Sequence, residues 1–153
     1  MSAPIRRILV LCEGNHCRSP LAEALLRQAL GPDVTVTSAG LGAMVGLPAH
    51  EATQRLALAQ GLDLQAHRGR PFSPELALGA DLILVMDQAQ KATCEALVPS
   101  ARGRVFLLGH WLPKPDREIA DPIQRGPEAH QQAHQHIQRA LQPWLLRLSP
   151  RNP

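Results

Sequence analysis

This chain has no tyrosine, and its aromatic residues amount to two tryptophans and two phenylalanines, 3% of the sequence. A surface that stacks nucleobases needs more rings than that, and a net charge of +3 is too weak to gather a polyanion. Nucleic-acid binding is therefore not expected. Long apolar runs are missing too. The run Ile8–Leu11 falls far short of the ~20 residues of a membrane span or the ~7–15 of a signal-peptide core. No targeting segment, no membrane insertion and a cytoplasmic location are the corresponding expectations. Cysteine is scarce. Three cysteines, an odd number, do not make the disulfide framework of a secreted domain. In the cytoplasm free thiols persist, and a closely spaced pair is more often reactive than structural.

What is present reads as one domain over residues 1–153, long enough to bury a core and compact enough to stand as a monomer. Short apolar runs at Arg7–Cys12, Val34–Ser38, Ala80–Met86 and Arg104–Leu108 predict parallel strands covered on both faces. Helical spacing appears between them. Leu21, Ala22, Leu25, Leu26, Ala29 and Leu30 form a stripe closed by Gly31-Pro32, and His50–Gln60 is a second helix, stopped by Gly61. Ser73-Pro74 opens a short third one, with serine as cap and proline in the first turn. Gln88–Leu97 is a fourth. A fifth begins near Pro127, with Pro143 predicting a kink or an early end. The alternation predicts a three-layer, doubly wound α/β fold of four parallel strands with helices on both faces. In such folds ligands sit beyond the carboxyl ends of strands.

Cys12 lies at such an end, in the stretch "LCEGNHCRSP". Five residues separate it from Arg18: Glu13, Gly14, Asn15, His16 and Cys17. A loop of that length can turn its N–H groups toward one point and hold a tetrahedral oxyanion. Gly14 and Asn15 tolerate the unusual dihedrals such a wrap needs. The helix opening at Ser19-Pro20 adds its positive end, and Arg18 can fork onto two phosphate oxygens. A site that attracts negative charge also favours thiolate over thiol at Cys12, with the Ser19 hydroxyl placed to donate to it. The result is an activated nucleophile facing a phosphoryl group. Residues 13–19 are the expected phosphate-binding set.

The stretch "CEGNHCRSP", with "SAGLGAMVG" at 38–46, "DLILVMD" at 81–87, "LLGHW" at 107–111 and "IADP" at 119–122, resembles the low-molecular-weight protein tyrosine phosphatases. It looks most like the bacterial members that act on tyrosine autokinases of capsule or exopolysaccharide export. The resemblance covers nearly the whole chain. It implies Asp121, ahead of Pro122, as the acid that protonates the leaving oxygen, with Cys12 and Arg18 as its catalytic partners. It also implies Cys17 as a redox partner that pairs with Cys12 under oxidation. No cofactor and no metal are called for. The substrate it implies is a phosphotyrosine-bearing protein, with a tyrosine autokinase as the candidate. A mildly acidic optimum should follow, because Cys12 must be ionised while Asp121 is protonated.

Two departures from that pattern stand out. Where the family commonly has tyrosine after Asp-Pro, this chain has Ile123-Gln124, so aliphatic groups must wall the aromatic slot: Ile123 with Leu41 or Leu47. His16 stands where tyrosine phosphatases usually carry isoleucine and phosphoarginine phosphatases threonine. It is either an innocuous change on the outer face of the loop or a rim residue that biases substrate choice below pH ~6.5. Glu13 also belongs to the rim, where it would repel acidic peptides.

Alternative readings remain. A same-fold phosphatase for phosphoarginine would keep these residues. An arsenate reductase would need two further relay cysteines, and only Cys94 lies outside the loop. A structural zinc site would need a second ligand pair beside Cys12, His16 and Cys17. His130, His134 and His136 read as a solvated helix face.

Overall fold

The computed structural model describes residues 4–148. Four parallel strands form its sheet: β1 (Arg7–Cys12), β2 (Thr35–Gly40), β3 (Leu82–Val85) and β4 (Val105–Leu107), in the order β2-β1-β3-β4. The chain leaves β1 to one side for β2, then crosses to the other side for β3. The switch point therefore lies between β1 and β3, and Cys12 ends β1 there. Register places Cys12 opposite Gly40 on one side and Val10 opposite Leu84 on the other.

Alternation along β1 splits the core into two layers. Ile8, Val10 and Cys12 face one layer with Leu26, Ile137 and Leu141, while Leu9 and Leu11 face the other with Ile83, Val85 and Cys94. The first layer is roofed by α1 (Arg18–Leu30) and α5 (Pro127–Leu148), with α2 (Glu51–Leu58) packed beside α5. The second is roofed by α3 (Pro74–Leu78) and α4 (Gln88–Leu97). The four-stranded doubly wound arrangement follows the expectation. Burying twelve large side chains to under 2% exposure, at ~1.5–3 kcal/mol each, supplies much of the drive to fold.

Boundaries differ in instructive ways. β2 starts one residue late and runs on to Gly40, carrying the chain up against the loop after β1. A Cβ on Gly40 would lie 2.7 Å from the Glu13 carbonyl oxygen and 2.9 Å from the Asn15 nitrogen, so only glycine permits that approach. The second helix stops at Leu58, short of Gln60. The last helix does not end at Pro143 but continues to Leu148. Proline removes one donor from the helix ladder. Packing compensates: Trp144 is buried and donates from Nε1 to the Leu108 carbonyl at 2.8 Å, which ties the helix down directly after the proline.

Candidate active site

The loop from Cys12 to Cys17 is held from outside by its carbonyls. Those of Cys12, Glu13, Gly14 and His16 accept from the N–H groups of Leu41, Gly42, Met44 and His50, at 2.8–3.0 Å. The Asn15 carbonyl is met by Nε2 of His67 at 2.8 Å. With the carbonyls of residues 12–16 engaged outward, the N–H groups are left to the inside. None of those from residues 13–17 donates to another described residue. Asn15 adopts φ 52°, the left-handed conformation that lets the chain wrap. A loop wrapped in this way, closed by the N-terminus of α1 at Arg18, has the form of an oxyanion nest.

A polar network beneath it links Asn15, Ser19 and Ser38. The Asn15 side chain is fully buried, and its Oδ1 accepts from the Arg70 N–H at 3.0 Å. That contact identifies the oxygen and leaves Nδ2 to donate twice, to Ser19 Oγ at 2.8 Å and to Ser38 Oγ at 3.0 Å. The Ser38 hydroxyl donates to Glu23, which also pairs with Arg27 at 3.1 Å. Ser19, which accepts from Asn15, stands 3.0 Å from Cys12 Sγ, where its hydroxyl can donate to an ionised sulfur.

Arg18 is 4% exposed despite its charge. Its Nη1 donates to the Ile119 carbonyl at 2.7 Å, and Nη2 stands 3.5 Å from Asp121 Oδ2. The loop that follows β4 thereby meets the loop that follows β1. Asp121 turns back on itself, Oδ1 accepting from the Ile123 N–H at 3.1 Å, and its side chain keeps 39% exposure. Cys12, Gly14, His16, Cys17, Arg18, Asp121 and Ile123 line one small cavity of about 20 Å³. Arg18 and Asp121 also line a groove of about 750 Å³, together with Glu13 and Leu41.

A family model described as low molecular weight phosphotyrosine protein phosphatase matches residues 7–152. The chain belongs to that family. It is 43% identical to a probable low molecular weight protein-tyrosine-phosphatase, EpsP, of Ralstonia nicotianae, over 94% of this chain and 97% of that one. It is 41% identical to the phosphatase Etp of Escherichia coli K12, over 93% and 94% of the two chains. The crystal structure of the tyrosine phosphatase Wzb from Escherichia coli K30, in complex with sulphate, superposes with a TM-score of 0.89 at 41% identity, covering 95% of this chain and 99% of that one.

Within this phosphatase chain most of the sequence-expected site residues come together. Leu47 does not. It is 44% exposed and lines neither the small cavity nor the groove, whereas Ile123 lines the cavity and Leu41 the groove. Cys17 is buried, and that burial pushes its thiol up to about 12, against a partly offsetting hydrogen bond with Thr53. His16 lines the cavity but is tied back, its Nδ1 2.9 Å from the Pro48 carbonyl, and burial lowers its pKa.

The expectation of a solvated histidine face is overturned. His130 and His134 are 6% and 5% exposed, and His136 is half-buried with Nε2 on the Asp116 carbonyl. The rings of His130 and His50 lie 4.3 Å apart, and those of His50 and His16 5.3 Å apart. The reason is periodic: positions 130, 134, 137, 141 and 144 form one stripe, and the two histidines continue the apolar face of α5. Among the described residues no histidine, cysteine and carboxylate group could hold a metal ion.

Proposed function

We propose that this protein hydrolyses phosphotyrosine in a protein substrate through a phosphocysteine intermediate. The observation that carries the reading is the nest itself, with Cys12 Sγ beside the Ser19 hydroxyl beneath inward N–H groups and Arg18 at its edge. The Cys12 thiolate attacks phosphorus in line while Arg18 and the loop amides hold the equatorial oxygens. The bond to the tyrosyl oxygen breaks as Asp121 delivers its proton there. Asp121, now ionised, takes a proton from water that attacks the phosphocysteine, and the departing thiolate recovers its hydrogen bond from Ser19.

Family membership and the phosphatase relatives support this chemistry. The finer parts rest on the resemblance to the bacterial branch: a tyrosine autokinase of polysaccharide export as the substrate, and the cytoplasm as the compartment. No helix among the described residues is long and apolar enough to cross a membrane, and three free thiols suit a reducing location.

The test is hydrolysis of an aryl phosphate and of a phosphotyrosine peptide, chelator present, by the wild type and by Cys12→Ser. Turnover by the wild type that vanishes in the variant is expected. Equal rates in the two, or none in a folded and reduced wild type, would sink the mechanism.

A further inference from the structure

The groove that opens from the phosphate nest has a charge at odds with phosphate binding. Four carboxylates line it, from Glu13, Asp87, Glu118 and Asp121, against the single guanidinium of Arg18. Three of the four have an electrostatic reason to be there. Asp87 accepts from the Gln90 N–H and Glu118 from the Gln88 N–H, both at 2.8 Å, at the positive end of α4. Asp121 faces Arg18. Glu13 has none of these. It follows the nucleophile directly, and its side chain is exposed. Its backbone carbonyl accepts from Gly42, but its carboxylate makes no hydrogen bond or ion pair with any described residue. Its carboxylate lies across Gly42, where a Cβ would leave it no room.

A carboxylate on the lip of an anion site weakens that site unless something positive faces it. The groove and the small cavity share Arg18 and Asp121, so the groove gives a substrate anchored by its phosphoryl group a path for its remaining atoms along this wall. With Arg18 engaged by phosphate, the wall presents net negative charge to whatever follows. We propose that Glu13 is a specificity-determining residue that selects substrates carrying a lysine or arginine beside the phosphorylated residue. The inference rests on the phosphatase reading and gives its substrate a charge pattern.

The experiment measures kcat/KM for two phosphotyrosine peptides that differ only in flanking lysine or glutamate, with an aryl phosphate alongside. The readout is the lysine-to-glutamate ratio within each enzyme, so any change in the chemical step cancels. For the wild type the expected ratio is about fivefold at low salt, shrinking as salt rises. In Glu13→Gln it should fall toward unity, and in Glu13→Lys it should invert. A wild-type ratio near one, or a ratio unmoved by both substitutions, overturns the proposal while the phosphatase reading survives. Failure of the wild type on the aryl phosphate as well would instead overturn the phosphatase reading, and this inference with it.

Discussion

The amide of Asn15 donates to Ser19 Oγ at 2.8 Å, and the same hydroxyl stands 3.0 Å from Cys12 Sγ. A thiolate can only accept, so once Cys12 is ionised the hydroxyl donates to it. A group that stabilises a thiolate matters most when the thiolate is leaving. Ser19→Ala should therefore slow breakdown of the phosphocysteine more than its formation. A hydrogen bond to a charged group is worth about 1.5–3 kcal/mol, so steady-state turnover should fall by roughly 10- to 100-fold. Rapid-mixing kinetics checks this: the variant should release a burst of phenol approaching one per enzyme, followed by a steady state slower than the wild type's. A variant without a burst would place the role of Ser19 elsewhere.

Asp121 stands half-exposed at 3.5 Å from Arg18, and the proposed mechanism assigns it the proton for the leaving oxygen. Asp121→Asn cannot donate that proton. The loss should be about 10²- to 10⁴-fold for phenyl phosphate and much smaller for an ester of a strongly acidic phenol, which leaves unaided. Rates across a series of leaving groups test it. An equal loss for all would make Asp121 a positioning residue for Arg18.

Cys17 carries a thiol pushed up to about 12 by burial, so near neutral pH almost all of it is protonated. Alkylation at pH 7 should therefore mark Cys12 and spare Cys17. Under peroxide Cys12 becomes a sulfenic acid. Attack by Cys17 then forms the disulfide and releases water. Because the thiolate fraction grows about tenfold per pH unit below 12, this closure should accelerate as pH rises. Mass spectrometry at several pH values follows it. Sulfinic acid on Cys12, with no disulfide at any pH, would remove Cys17 as a redox partner.

Gly40 marks the closest approach of β2 to the nest. Gly40→Ala would set a methyl group within 2.9 Å of two backbone atoms of the loop, which cannot swing aside as a side chain could. A destabilisation of about 1–3 kcal/mol is expected, together with weaker binding of inorganic phosphate as a competitive inhibitor. Denaturant unfolding and inhibition constants measure the two effects separately. A fully stable variant with unchanged phosphate inhibition would show that the loop is not pinned at this point.

The strand–loop–helix site could be read from residues 7–30 because all its parts are adjacent in sequence and each has a strong local signature. The supports could not. Ser38, His67 and Arg70 reach Asn15 across gaps of 23 to 55 residues, and no local pattern announces such pairings. The carbonyl contacts from Leu41–His50 depend on backbone direction, which composition does not encode. The early end allowed for at Pro143 and the solvated histidine face failed for one reason: tertiary packing around Trp144 and His50 overrides what proline and histidine prefer by themselves.

That buried histidine stripe has a pH signature. Burial lowers the pKa of His16, His130 and His134 below the ordinary 6.5. Neighbouring histidines add repulsion at the first two, and Asp121 opposes it there. The unfolded chain therefore takes up protons first as pH falls. Stability is complete above about 6.5 and declines through the window below it, until the folded-state values are reached. Thermal unfolding between pH 8 and 5 should show that decline. His134 reports it most cleanly, since burial alone shifts it and its Nδ1 has no partner among the described residues. His134→Leu removes a buried imidazole that resists charging, so the variant should lose less stability over the same interval. A variant that tracks the wild type throughout would show that His134 takes no part in the acid response.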